Sequence, residues 1–176
     1  MHVVDDMIQC LEYAQTLREN TFELVEKQEW SVDLYAFKGK ARNGDSFIEV
    51  SLEQFLEYCE FLSKKRSQPR APYGVVIALS DLLQGRFVEY AAFSTAIGAT
   101  PKSRRTVLPG GLYARYMLRS SLEAQIEQVG AFMQLLNARR LKPVGDLYIC
   151  DLMSYFREGP RKGYLMEFLI QVERAG

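Results

Sequence analysis

The residues "GLYAR" (Gly111–Arg115) echo "DLYAF" (Asp33–Phe37), and "MEFLIQ" (Met166–Gln171) echoes "VEYAAF" (Val88–Phe93). Tyr35 and Tyr113 stand 78 positions apart, and so do Glu89 and Glu167. Two unrelated pairs with one offset argue for an internal duplication. That reading decides the fold.

Working outward, each half carries a helix signature between its two echoes. A serine followed three residues later by Gln or Glu marks a helix start: Ser51 with Gln54, and Ser120 with Glu123. Leu52, Phe55, Leu56, Cys59 and Leu62 form the apolar stripe of the first helix. Leu122, Ile126, Val129, Phe132, Met133 and Leu136 form that of the second. Each helix is followed by Pro-x-Gly, at Pro72 and Pro143, leading into a pair of strands. The predicted architecture is α+β: two pseudo-symmetric β-α-β-β repeats, residues 21–100 and 105–173, with the basic, Gly- and Pro-containing linker "GATPKSRRTVLPGG" between them. One repeat buries little by itself. Two side by side give one antiparallel sheet with both helices on one face. The other face must be covered, or it becomes a site.

Residues 1–20 read as a separate N-terminal helix, with Val4, Met7, Leu11 and Ala14 as a narrow stripe to be buried on a second chain or on the domain's own second half. Asn20 is the expected stop. The stretch Thr21–Phe37 holds two strands or one broken strand, because "EKQE" is too polar for a core.

Composition narrows the function classes. The 176 residues carry 22 basic and 22 acidic side chains, so there is no overall basic footprint for nucleic acid. Cys10, Cys59 and Cys150 are odd in number and far apart, against a zinc site or a disulfide framework. No apolar run spans a membrane and no signal peptide is evident, so a cytoplasmic location is expected. The single histidine, His2, lies at the N-terminus, and there is no nucleophile elbow, P-loop or metal-ligand spacing. Neither an enzyme nor a cofactor is predicted.

One carboxylate stands out. In "GYLMEFLIQVE" (Gly163–Glu173) alternation puts Leu165, Glu167 and Leu169 on one strand face, and Tyr164, Met166, Phe168 and Ile170 on the other. An ionised carboxylate taken out of water without a partner costs several kcal/mol, roughly. Glu167 is therefore paired (Arg115, Arg161 and Lys162 are candidates), protonated, solvated, or waiting for a cation.

The duplicated β-α-β-β pattern, the "LPGGLYARYML" opening of the second half and the final "MEFLIQV" strand resemble the GyrI-like small-molecule-binding domain, a duplicated SHS2-type fold. The resemblance covers residues 22–173. That family includes the gyrase-inhibitory protein and the effector domains of multidrug-sensing MerR-type and AraC-type transcription activators. It implies a ligand-sensing domain with an aromatic groove between the halves for a lipophilic, often cationic molecule. Glu167 matches the family's cation-contacting glutamate. Glu89, Tyr35, Tyr113, Tyr148, Trp30 and Phe168 are the other candidate ligand contacts. Many members carry a glutamate beside the tyrosine of the strand after "PVG"; here Leu147 and Ile149 flank Tyr148, so a second acid would have to be Asp146, Asp151 or Glu89. The first 20 residues look similar to the dimer helix that precedes this domain in MerR-type members. DNA contact would belong to a helix-turn-helix outside this sequence. The alternatives are a standalone protein that sequesters ligand or binds a target protein, and a small hydrolase of electrophilic natural products using Glu89 or Glu167 as general base.

The ordinary explanation of each feature is packing. Aromatic side chains are mostly core, and the basic runs "SKKRSQPR" and "ARRLKP" follow helices, where cations complement the helix dipole.

Overall fold

The computed structural model describes residues 20–37, 47–64, 72–96, 100–121, 124–151 and 164–175. The expected N-terminal helix lies outside these residues. Eight strands form one sheet: β1 (Thr21–Lys27), β2 (Trp30–Ala36), β3 (Gly74–Ile77), β4 (Glu89–Thr95), β5 (Arg105–Leu108), β6 (Gly111–Ser120), β7 (Leu141–Asp151) and β8 (Tyr164–Arg174). Among the described residues three helices accompany them: α1 (Phe47–Lys64), the single turn α2 (Leu79–Leu82) and α3 (Gln125–Ala138).

The strand order is β1-β6-β8-β7-β3-β4-β2-β5, and every pairing is antiparallel. The trio β6-β8-β7 mirrors β2-β4-β3, and the two trios meet at the β3–β7 seam. The first strand of each repeat pairs with the other repeat: β1 with β6, and β5 with β2. The sheet is α+β in the expected sense, with one addition. The polar "EKQE" break separates β1 from β2 at Gln28 and Glu29, and Pro109 with Gly110 separates β5 from β6.

Those two short connections set the shape. β1 and β2 are six strand spacings apart in the order, about 29 Å across a flat sheet. A two-residue connection spans only about 10 Å. The sheet must curl until its ends approach, so it has an inner and an outer face. Gly111, with φ 137°, makes the backbone turn at the crossing, and Gly110 brings its Cα close beneath the Lys27 carbonyl, where a Cβ would sit 3.1 Å from the oxygen.

Both helices lie on the outer face. α3 buries Val129, Phe132 and Leu136 against Ala114, Leu118, Leu147, Ile149, Met166, Phe168 and Ile170. Phe132 stacks on Tyr116 and meets Phe22 and Phe168, with ring centroids 5.9, 6.3 and 5.7 Å away. α1 buries Tyr58 and Leu62 against Ala92, with Tyr35, Phe37 and Phe61 packed around them. Beneath α1 lie polar contacts: Tyr58 and Ser94 share a hydrogen bond of 2.8 Å, and Arg104 donates to Asp33 at 2.8 Å while its guanidinium lies over the Phe61 ring. Asp33 Oδ1 and Arg104 Nε both lack partners, so this fork is half closed.

The helix starts differ from the sequence reading. α1 begins at Phe47, so Ser51 lies inside it; the spacing of Ile48, Leu52, Phe55, Cys59 and Leu62 already carried the helical period upstream of the serine. In the second repeat Ser120 still belongs to β6, and Ser121 Oγ accepts from the Ala124 N–H at 3.3 Å. Asn20 is left-handed (φ 57°) immediately before β1, and the helix it was expected to stop lies outside the described residues.

Candidate ligand-binding site

The inner face is read from register, because directly paired residues share a face. On β8 it carries Leu165, Glu167, Leu169 and Gln171; on β6, Tyr113, Arg115, Met117 and Arg119; on β7, Tyr148 and Cys150. Val76, Phe93, Val32 and Leu108 continue it across the seam. These apolar side chains form a second core inside the curl, with Trp30, Val25, Leu34 and Tyr90 packed against it.

At one end of this core is a cleft of about 280 Å³, where the β5–β6 crossing faces the strands on both sides of the seam. Tyr90, Tyr113, Tyr148 and Asp146 supply its polar groups, with Leu108, Pro109 and Val144 among its apolar walls. Asp146 is fixed at both oxygens: Oδ1 accepts from the Leu79 N–H and Oδ2 from the Tyr90 hydroxyl, each at 2.8 Å. The Tyr113 hydroxyl donates to the Pro109 carbonyl at 2.8 Å. Burial pushes all three phenols up from their ordinary value. For Tyr90 the bond to Asp146 adds to that, and for Tyr148 so do its neighbours Tyr90, Asp146 and Tyr113. The nearby Trp30 N–H partly offsets the rise at Tyr113 but makes no hydrogen bond of proper geometry. The phenols stay neutral and act as hydrogen-bonding groups, not bases.

Of the residues singled out from sequence, Tyr113, Tyr148, Trp30 and Glu167 meet on the inner face. Tyr148 packs edge-on against Phe93 at 5.1 Å and against Trp30 at 5.9 Å. Lys27 Nζ covers the Trp30 ring at 5.0 Å. Glu167 is only 4% exposed, paired across strands with Met117 and Cys150. It lies four residues along β8 from Gln171 at the cleft mouth, about 13 Å, with Leu169 between. Arg115 and Arg119 sit one diagonal step away on the same face.

Tyr35, Phe168 and Glu89 are elsewhere. Tyr35 packs under α1 against Tyr58 and Phe61, at 5.1 and 5.7 Å. Phe168 is in the α3 core against Phe132. Glu89 pairs with Ile77 on the outer face and accepts a hydrogen bond from Gln125, the first residue of α3. Sequence reasoning passed over Tyr90 and named Asp146 only as a substitute acid. The signal for Asp146 was the absence of a glutamate beside Tyr148. Tyr90 gave none, because a β-bulge at Val76/Ile77 sets its face.

No protein-family profile and no curated protein sequence matches the chain. Solved structures do. The C-terminal domain of EcmrR aligns with a TM-score of 0.60 at 8% identity, over 88% of this chain and 98% of that one. EcmrR in a DNA complex aligns with a TM-score of 0.63 at 11% identity, over 98% of this chain and 67% of that one. The fold is that of the EcmrR C-terminal domain, the fold that the resemblance noted in the sequence implies. A hydrolase from Listeria innocua shares it, with a TM-score of 0.51 at 10% identity over 93% of this chain and 97% of that one. In this fold the cleft lies where the two repeats face each other. No described helix is long and apolar enough to cross a membrane, and no described cluster of His, Cys, Asp or Glu could hold a metal.

Proposed function

We propose that this chain is a small-molecule effector-binding domain of a transcription regulator, taking a lipophilic, aromatic cation on the inner face of the curled sheet. The observation that carries this reading is the cleft itself: about 280 Å³, walled by three neutral phenols and one anchored carboxylate at the junction of the halves. Ring faces attract cations by about 0.5–2 kcal/mol each. Tyr113 and Tyr148 line the cleft, Trp30 packs against Tyr148, and Glu167 is the deeper carboxylate on the same face. Ligand binding shifts the orientation of the domain against its dimer partner or the preceding helix, and only as far as the ligand discriminates between the two states. DNA contact belongs to another segment.

Glu167→Gln tests the deeper anion. It keeps the shape and removes the charge. Binding of an aromatic cation should weaken by about 1.5–3 kcal/mol, while a neutral analogue of the same shape and the melting temperature stay nearly unchanged. Calorimetric titration of both ligands decides it, and equal losses would make Glu167 a structural residue.

The hydrolase reading rests on the Listeria innocua neighbour and on a buried carboxylate that a water could use as base. Turnover of an electrophilic ester or epoxide, lost in Glu167→Gln, would favour it over sensing.

A further inference from the structure

Two of the cleft's three phenols share an orientation. Tyr90 spends its hydroxyl proton on Asp146 Oδ2, Tyr113 spends its own on the Pro109 carbonyl, and Gln171 Nε2 donates to the Gly110 carbonyl at 3.3 Å. Both phenolic donors point into protein, and Gln171 spends one of its two N–H groups there. The phenolic oxygens of Tyr90 and Tyr113 keep lone pairs for the cleft, and so does Gln171 Oε1. Asp146 adds net negative charge and is held by the Leu79 N–H, so it cannot turn away. The hydroxyls of Tyr148 and Thr106 rotate and serve either way.

We infer that the cleft selects a cation that donates hydrogen bonds, a primary or secondary aromatic ammonium, over a quaternary onium of the same shape. This deepens the effector-binding reading and rests on it. A quaternary nitrogen satisfies the charge and the rings but leaves the aimed lone pairs dehydrated and unpaired. An N–H-bearing ammonium satisfies all three. Charge-assisted hydrogen bonds are the stronger class, so the missing N–H should be felt.

Asp146 controls that orientation. In Asp146→Asn the side-chain oxygen can still accept from the Leu79 N–H, but the amide now donates to the Tyr90 oxygen. The Tyr90 proton must then swing toward the cleft, and an acceptor becomes a donor.

The experiment titrates the intact chain with three probes: naphthylmethylammonium, its N,N,N-trimethyl derivative and neutral naphthylmethanol. The ammonium should bind about tenfold more tightly than the trimethyl ion. Asp146→Asn should remove that preference, and Tyr113→Phe should reduce it with the trimethyl ion barely affected; the second variant stands in if the first melts early. Equal or tighter binding of the trimethyl ion overturns the inference and leaves the cation reading intact. If only the alcohol binds, both the selectivity and the cation preference are wrong. If no probe binds, the cleft is not the site, and the inference fails with the proposed function.

Discussion

The two repeats share a topology and differ in what their helices rest on. α3 sits on an apolar bed, with Phe132 in contact with three other rings. α1 buries Tyr58 and Leu62 on Ala92, beside a buried hydroxyl pair and an ion pair. Apolar burial stabilises in proportion to area, whereas polar burial roughly breaks even and is costly when one partner is lost. Pseudo-symmetry of backbone therefore does not mean equal shares of stability: the second repeat is the platform, and the first carries the polar underside.

The largest test of that asymmetry is Phe132→Ala. It should cost about 3–5 kcal/mol in urea or thermal unfolding, the usual range for an aromatic removed from a packed core. A loss no larger than that of the Tyr58 variant below would erase the distinction.

Arg104→Leu comes next. It leaves Asp33 buried without its cation, and about 2–3 kcal/mol should be lost near neutral pH. Burial already holds the Asp33 carboxyl above its ordinary value, with Arg104 pulling it down. A raised folded pKa means that Asp33's contribution is fully present below its unfolded value, near 3.8, and declines as pH rises through the folded value. Removing Arg104 should extend that decline to higher pH, and Asp33→Asn should abolish it. Unfolding midpoints between about pH 3 and pH 7 read both effects.

Tyr58→Phe is the smallest. Losing the bond to Ser94 should cost about 1 kcal/mol. Burial pushes this phenol up to about 12, so its contribution is intact below about pH 10 and falls away as pH climbs toward 12. The variant should lack that alkaline decline. An unchanged pH profile would mean that the hydroxyl is not buried as described.

Much of this was legible in the sequence, and the failures have one physical cause. The polar "EKQE" break, the two helices, the hairpin order and the common sheet follow from period and punctuation. The offset of 78 found the duplication, yet it pairs Tyr35 on the outer face with Tyr113 on the inner, and Glu89 on the outer with Glu167 on the inner. A strand alternates with period two, so a one-residue difference in register reverses every side chain. The bulge beside Glu89 is such a difference, and nothing in the composition of "VEYAAF" announces it. Phe168 was legible: alternation alone sets it opposite Glu167. The curl was hidden in the pairing of β1 with β6 and β5 with β2, a choice made by tertiary packing and not by local propensity.

The β3–β7 seam has a further consequence. At Gly74 a Cβ would lie 1.9 Å from the Ile149 carbonyl oxygen, so here the repeats touch backbone to backbone. The distance from β3 to β7 is then the interstrand spacing of a hydrogen-bonded ladder, about 4.8 Å. Gly74 pairs with Cys150, at the end of β3 away from Asp146 and the cleft, and there the chain has no side chain to resize. The spacing of the two repeats at that end of the seam is fixed by peptide geometry. Room for a larger ligand is set at the other end of the sheet, where Pro109 and residues 144–146 wall the cleft.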